Sequence, residues 1–168
     1  MPKKSVVVPA SRCWLFKSEP EVFSIDDLAA AVDQTTYWAG VRNYQARNML
    51  RDDMRVGDRV LFYHSNSDPT AIVGTAQIVR AGYPDFTSWD ANDPYYDPKS
   101  NADAPRWFMV DIQFVEKFSR PLTLAYLRTI DELKDMVLLR KGSRLSVQPV
   151  SPKEYEAIIK HSNTNATR

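Results

Sequence analysis

Two strand-like stretches joined by a short turn constrain the fold most. Residues 59 to 65 are rich in β-branched and aromatic side chains, and residues 71 to 79 continue that character after Asn-Ser-Asp-Pro. The pair predicts an antiparallel meander, and Gly74 inside its second strand indicates a bulge or a close approach. Side chains alternate between the two faces of a strand, so the first strand should place three residues on each face. One face should carry Leu61, Tyr63 and Ser65, and the other should carry Val60, Phe62 and His64.

The remaining patterns add strands and helices to this meander. Strands are predicted at residues 14 to 17, 107 to 118 and 145 to 150. A Ser or Thr cap with an acidic residue three positions later predicts helices after Ser24, Thr129 and Ser151, and Leu122 to Leu127 predicts another. The first helix should bury one face, made of Ile25, Leu28, Ala29 and Val32. Helices among mostly antiparallel strands indicate an α+β fold with a small curved sheet or barrel.

Length and composition predict one domain with a net charge close to zero. The 168 residues suggest a flexible leader at 1–12, a single domain at 13–160 and a flexible tail at 161–168. The formal net charge is +1, so nucleic acid can be attracted only by a local patch. The single cysteine, Cys13, excludes an intrachain disulfide and weakly favours a reducing compartment. No apolar run approaches the length of a membrane span.

Residues 37 to 48 concentrate aromatic rings, arginines and amides in a loop that runs into a helix. Asn43 is predicted to be the N-cap, because its side-chain oxygen can accept from a free first-turn N–H. Trp38 and Arg42 would then lie beside a helix N-terminus, which favours a phosphate or another polar ligand. The alternative is that Trp38 and Tyr44 are core rings and the arginines are solvated.

Residues 82 to 106 predict a long loop that is ordered. Its tyrosines, Phe86 and Trp89 argue against disorder, so the loop should pack over another part of the molecule. Arg140, Lys141 and Arg144 form a compact basic cluster near the helix terminator Gly142. The cluster could contact phosphate, or it could be cations favoured by a helix C-terminus.

Catalytic chemistry is poorly supported by the sequence. Two histidines and one cysteine cannot make a zinc site without distant carboxylates, and there is no glycine-rich phosphate loop. A Cys13–His64 nucleophile and base would need an activated cysteine, which nothing indicates. We therefore expect no metal, no cofactor and no enzymatic activity.

Flat rings with short polar partners favour a pocket for a nucleobase instead. The candidate pocket residues are Trp38, Tyr63, Tyr96, Lys17, Ser18, Asn43, Ser65 and Gln148, with Trp107 and Tyr95 as further rings. The candidate phosphate contacts are Arg42, Arg140, Lys141 and Arg144. His64 ranks below Ser65, because alternation turns it away from Tyr63.

Six blocks occur in a fixed order along the chain: residues 14 to 20, 38 to 48, 62 to 66, 73 to 74, 96 to 100 and 146 to 150. Together these blocks closely resemble the EVE domain, and within it the thymocyte nuclear protein 1-like branch. The resemblance covers roughly residues 13 to 160. It implies a PUA-like, mainly antiparallel pseudo-barrel surrounded by short helices, with an aromatic-walled pocket for modified nucleobases. For this branch the implied ligand is DNA carrying modified cytosine.

The resulting prediction is a non-catalytic domain that binds 5-methyl- or 5-hydroxymethylcytosine in DNA. An RNA-binding domain for a modified base is the first alternative, by analogy with related folds, and a small hydrolase or nuclease is the second. No membrane and no obligate protein partner are expected. The predicted location is the cytoplasm, or the nucleus in a eukaryote.

Overall fold

A six-stranded sheet with short helices on both faces forms the body of the protein, described by a computed structural model for residues 11 to 164. The strands are β1 (Cys13–Ser18), β2 (Thr35–Tyr37), β3 (Arg59–His64), β4 (Ala71–Pro84), β5 (Phe108–Thr123) and β6 (Val147–Val150). The α-helices are α1 (Ile25–Ala30), α2 (Tyr44–Asn48), α3 (Leu124–Leu127) and α4 (Pro152–Thr164). A π-helical turn, Met49–Asp53, extends α2. The 3₁₀ turns are Val32–Gln34, Phe86–Trp89, Asp131–Leu133 and Val137–Leu139.

The sheet is mixed but mainly antiparallel, in the order β2-β5-β4-β3-β1-β6. The meander predicted from residues 59 to 79 is confirmed, since β3 pairs antiparallel with β4, and β4 pairs antiparallel with β5. Only β1 and β3 pair in parallel among the described strands. The predicted α+β class with a mainly antiparallel sheet and short helices is therefore confirmed.

Two hydrophobic cores lie on opposite faces of the sheet. Val60 and Phe62 of β3 face the first core, with α1, α2 and the π-helical turn. Leu61 and Tyr63 face the second core, which α3 and α4 cover. The predicted alternation of β3 is confirmed for its hydrophobic residues, and it decides which side chains can reach a site on the first-core side.

Gly74 lies where a side chain on β4 would collide with β5. A Cβ at Gly74 would collide with the backbone carbonyl oxygen of Glu116, and it would crowd the Ile25 side chain at 3.2 Å. The register of the β4–β5 ladder also shifts between Ile72 and Gly74. Of the two alternatives predicted for this glycine, the close approach is present.

Three helix starts have the predicted caps. Ser24 and Asp27 form a reciprocal capping box at α1. Ser151 and Glu154 exchange the same pair of hydrogen bonds at α4, with distances of 2.9 and 3.1 Å. The Asn43 side chain accepts from the Ala46 N–H at 2.9 Å. These bonds satisfy first-turn N–H groups and locate the helix starts.

Three predicted elements differ in the structure. Strand β5 continues through residues 119 to 123, because this stretch pairs with β4 and leaves only one helical turn for α3. Thr129 caps no helix: its hydroxyl donates to the Tyr126 carbonyl oxygen at 2.7 Å, and residues 131 to 139 form two 3₁₀ turns instead. Helix α1 ends at Ala30, which leaves Val32 86% exposed.

Helix α4 extends past the predicted end of the domain at residue 160. Helix α4 continues to Thr164, so the tail predicted to start at residue 161 is helical as far as 164. Residues 165 to 168 and most of the predicted leader at 1–12 lie outside the described residues. Within residues 11 to 164, no helix is both long and apolar enough to cross a membrane.

Candidate functional site

A cavity of about 600 Å³ opens on the first-core side, at the end of β1. Its walls come from the end of β1, the segment that follows β2, the residue after β3, the loop before β5 and the segment before β6. The lining residues used below are Lys17, Ser18, Trp38, Ser65, Tyr95 and Arg144. Four of the predicted base-pocket residues, Lys17, Ser18, Trp38 and Ser65, therefore meet in one place.

Trp38 is half-buried and forms the aromatic wall of the cavity. Its ring packs against the core rings of Phe16 and Phe62, with centroids 5.3 and 5.6 Å away. Its backbone N–H donates to the Val110 carbonyl oxygen at 2.8 Å, which fixes the segment beside β5. The sequence left open whether Trp38 is a core ring or lies at a ligand site. In the structure its ring contacts the core and also lines the cavity.

The buried carboxylate of Asp85 holds the cavity wall together. One oxygen, Oδ2, accepts from the Gly40 N–H at 2.9 Å and from Arg42 at 3.1 Å. The other oxygen accepts from the Thr87 N–H at 2.9 Å. Asp85 therefore joins the 37–48 stretch to the 82–106 loop. Asp85 was not among the predicted site residues, and the only sequence signal for it is its position as an acidic residue near the start of an aromatic-rich loop.

Tyr95 covers the backbone at Gly40. This glycine has a φ of +85°, and a Cβ there would lie 2.6 Å from the Tyr95 ring. The loop at residues 82 to 106 therefore packs over this segment, as predicted, and the absence of a side chain at Gly40 leaves room for the Tyr95 ring. It is Tyr95, and not the neighbouring Tyr96, that lines the cavity. Tyr96, which was predicted to line the pocket, is 44% exposed and is not among the residues that line the cavity.

The Arg42 guanidinium, a predicted phosphate contact, is engaged by other groups of the protein. Its guanidinium donates to Asp85, to the Val41 carbonyl oxygen at 3.1 Å and to the Tyr95 carbonyl oxygen at 2.5 Å. It also lies over the Trp107 ring, 5.3 Å from the centroid. Since these partners occupy the guanidinium, the prediction that Arg42 binds phosphate is not supported by its geometry.

The polar wall of the cavity comes from the end of β1 and the residue after β3. The Ser18 carbonyl oxygen accepts from the Ser65 N–H at 2.9 Å, while the Ser18 hydroxyl donates to the Phe23 carbonyl oxygen. Burial lowers the pKa of the Lys17 ammonium. The cavity therefore offers hydroxyls and an amine beside the Trp38 ring, which suits a flat polar ligand.

Two predicted pocket residues face elsewhere. Tyr63 is 4% exposed in the second core, because alternation along β3 points it away from the Trp38 side of the sheet. Gln148 is fully buried in β6, and its amide nitrogen donates to the Leu145 carbonyl oxygen at 3.0 Å. Neither side chain lines the cavity, so both predictions are wrong in position.

A second, smaller depression of about 380 Å³ carries the predicted basic cluster. Arg140, Lys141 and Arg144 line it together with the helix cap Asn43. Asn43 thus lies outside the main cavity, where its side-chain oxygen is used by the cap. Arg144 lines both spaces, so cationic side chains continue from the main cavity onto the neighbouring surface.

The Cys13–His64 pair cannot assemble. Cys13 pairs with Arg59 at one end of the β1–β3 ladder and His64 pairs with Ser18 at the other, which separates them by about 16 Å. Burial raises the pKa of the Cys13 thiol, and the His64 ring nitrogen accepts from the Ile25 N–H at 3.1 Å. Among residues 11 to 164, no group of three or more His, Cys, Asp or Glu side chains is arranged to hold a metal ion.

The family comparison decides what kind of domain carries this cavity. The EVE domain model matches residues 12–161, which include all six strands and most of α4. The chain belongs to the EVE domain family. The resemblance carried by the six sequence blocks is therefore confirmed.

Relatives of this EVE domain are similar over most of the chain. Thymocyte nuclear protein 1 from Homo sapiens is 43% identical over 173 residues, covering 93% of this chain and 76% of the relative. A hypothetical protein from Leishmania major has a structure with a TM-score of 0.87 and 47% identity, covering 93% of this chain and 97% of the other. Human THYN1 protein, solved in complex with 5-methylcytosine containing DNA, gives a TM-score of 0.85 and 44% identity, covering 90% of this chain and 98% of the other.

Proposed function

We propose that this EVE domain binds DNA that carries a modified cytosine, and that the cavity beside Trp38 holds the modified base. The observation that carries the proposal is the meeting of Trp38 with Lys17, Ser18 and Ser65 in one cavity. A relative at 44% identity, the human THYN1 protein, was solved with 5-methylcytosine containing DNA. That similarity supports a ligand of the same class here.

The size and chemistry of the cavity suit a single base. Its volume of about 600 Å³ lies within the range of about 300 to 1,000 Å³ typical of small-molecule sites. A base taken out of a duplex is held by stacking and by hydrogen bonds to its edge. Trp38 supplies the flat apolar surface, and the hydroxyls of Ser18 and Ser65 lie on the polar wall.

Binding without catalysis fits the same geometry. The histidine near the cavity, His64, uses a ring nitrogen to accept from the Ile25 N–H, and Cys13 is buried on the other face of the sheet. A general base needs hydrogen-bond reach to a bound substrate, and neither group lines the cavity. We therefore assign the domain to recognition of the base.

A binding titration tests the proposal. The protein is titrated with matched single-stranded and duplex DNA containing cytosine, 5-methylcytosine or 5-hydroxymethylcytosine at one position, and with the corresponding RNA. We expect tighter binding of a modified DNA than of its unmodified match. Equal affinity for all cytosine forms would contradict the proposal, and a preference for the RNA series would identify an RNA-binding domain, since the 2′-hydroxyl distinguishes the two.

Few cations should carry the phosphate contacts. With Arg42 engaged by Asp85, the candidates are Arg140, Lys141 and Arg144 at the smaller depression. Three contacts predict a shallow salt dependence, with a slope of about 2 to 3 in a plot of log affinity against log salt. Lys141→Gln should reduce that slope by about 1 while leaving the preference for the modified base unchanged.

The matched control for this charge change is Arg120→Gln. Arg120 is exposed near the end of β5 and lines neither depression. Its removal should leave the slope as it is in the unaltered protein. A slope near 10 for the unaltered protein, or an equal fall in both variants, would mean that phosphates bind a broader surface.

A further inference from the structure

Two exposed rings stand beside the cavity, and the proposed base pocket does not explain both. Tyr37 is 48% exposed and Phe86 is 43% exposed, and their ring centroids lie 5.2 Å apart with an interplanar angle of 62°. Large apolar surfaces of this kind favour burial against another molecule. Aromatic rings with an open face are also the usual platform for nucleobases.

The two rings are fixed relative to the cavity. Tyr37 ends β2, directly precedes Trp38 and lines the cavity. Phe86 directly follows Asp85, whose carboxylate accepts from the Gly40 N–H. The same buried carboxylate therefore positions the cavity wall and the start of the Phe86 turn. A platform that is already in place loses little conformational entropy when it binds a ligand.

The segment from residue 37 to residue 43 connects three surfaces in order. It begins at the exposed rings, passes the cavity at Trp38 and ends at Asn43 beside the basic depression. Six residue steps span at most about 20 Å when fully extended. A strand a few nucleotides long can therefore cover the whole distance. One side of the cavity offers cations to phosphates, and the other side offers a ring.

We propose that Phe86, held by the Tyr37 ring, stacks the base that neighbours the modified base on the same strand. This inference rests on the proposed function, because it requires the modified base to occupy the cavity beside Trp38. The ligand is then a short run of nucleotides whose neighbouring base is unstacked from the modified one. Stacking tolerates any base, so the platform should add affinity without sequence preference.

The test uses ligands that differ only in the neighbouring base. The ligands are 5-methyl-2′-deoxycytidine monophosphate and single-stranded trinucleotides with 5-methylcytosine in the centre. The trinucleotides carry normal neighbours or an abasic residue on one side or the other. For the unaltered protein, we expect one of the two abasic replacements to weaken binding about tenfold, within the roughly 5- to 150-fold range of a base–ring stack.

Phe86→Ala should weaken binding of the intact trinucleotide as the abasic replacement does. The variant should then bind the intact and the abasic trinucleotides with equal affinity. It should bind the intact trinucleotide about tenfold more weakly, and its affinity for the monophosphate should be unchanged. Phe86→Leu, which keeps an apolar side chain but removes the flat face, should behave in the same way. Val56→Ala is the matched control, because Val56 is 63% exposed and lines no part of the cavity.

Two results would overturn the platform. One is an unaltered protein that binds all trinucleotides equally well, and the other is a folded Phe86→Ala or Phe86→Leu variant that binds the intact trinucleotide as the unaltered protein does. Failure of the proposed function looks different. In that case the unaltered protein would not distinguish 5-methyl-2′-deoxycytidine monophosphate from 2′-deoxycytidine monophosphate, whatever residue is at position 86.

Discussion

Replacement of Asp85 with alanine should lower the free energy of unfolding by about 3 kcal/mol or more, the largest effect on stability that we expect in this site. The carboxylate is fully buried, and its loss leaves the Gly40 N–H and the Thr87 N–H without their acceptor. It also leaves the Arg42 guanidinium, whose side chain is only 25% exposed, without its ionic partner. An uncompensated cation of this kind is more costly than the loss of a surface ion pair. Urea unfolding measures the change.

The double variant Asp85→Ala with Arg42→Ala separates charge from packing. Removal of the guanidinium relieves the unpaired cation, so the double variant should lose less than the sum of the two single changes. Asp103→Ala, an exposed aspartate in the same loop, should stay within about 0.5 kcal/mol of the unaltered protein. A similarly small change for Asp85→Ala would refute its role in holding the cavity wall.

Trp38→Ala should weaken binding of the modified base by about 1 to 3 kcal/mol, because it removes the ring on which we propose that the base stacks. It should also lower the free energy of unfolding, since the ring packs against Phe16 and Phe62. That cost should be smaller than the roughly 3 to 5 kcal/mol of a fully buried tryptophan, because part of the Trp38 ring lines the cavity. Thermal unfolding and a titration with 5-methylcytosine DNA measure the two effects separately.

Trp38→Leu isolates the binding effect, since leucine retains apolar contact with the core and has no flat face. It should lose nearly as much affinity as Trp38→Ala and less stability. Trp89→Leu is the matched control, because Trp89 is half-buried in the same way and lines no part of the cavity. Unchanged affinity in a folded Trp38→Leu protein would show that the base stacks elsewhere, with Tyr95 the next candidate.

Local patterns predicted most of the strands and the three helix caps. Alternation in β3 and the caps at Ser24, Asn43 and Ser151 depend on residues within a few positions of each other, and sequence records such relations directly. The helix prediction was wrong at residues 122 and 123, because pairing of β5 with β4 extends the strand there, and after Thr129, where two 3₁₀ turns form instead. Tertiary pairing overrides local propensity in such a segment.

The candidate site was also predicted only in part, because residue types can be read from the sequence but the tertiary arrangement of the side chains cannot. Residue types selected Trp38, Lys17, Ser18 and Ser65, which the structure brings together, although their contact with a base stays a prediction. The face of the sheet on which the cavity opens is a tertiary property, so Tyr63 was placed on the wrong side. Asp85 was missed because its partners, Gly40 and Arg42, lie more than forty positions away in the chain.

The position of β1 in the sheet has a consequence for how the protein forms during synthesis. The first strand of the sheet lies between β3 and β6, and its Cys13 pairs with Val150 of the last strand. A ribosome must therefore release nearly all of the domain before β1 has neighbours on both sides. Contacts so distant in sequence form slowly, because a long loop must close first. Ser146 and Arg144, which line the cavity, emerge at the same late stage, so the nascent chain completes the cavity wall only after this part of the sequence has been released.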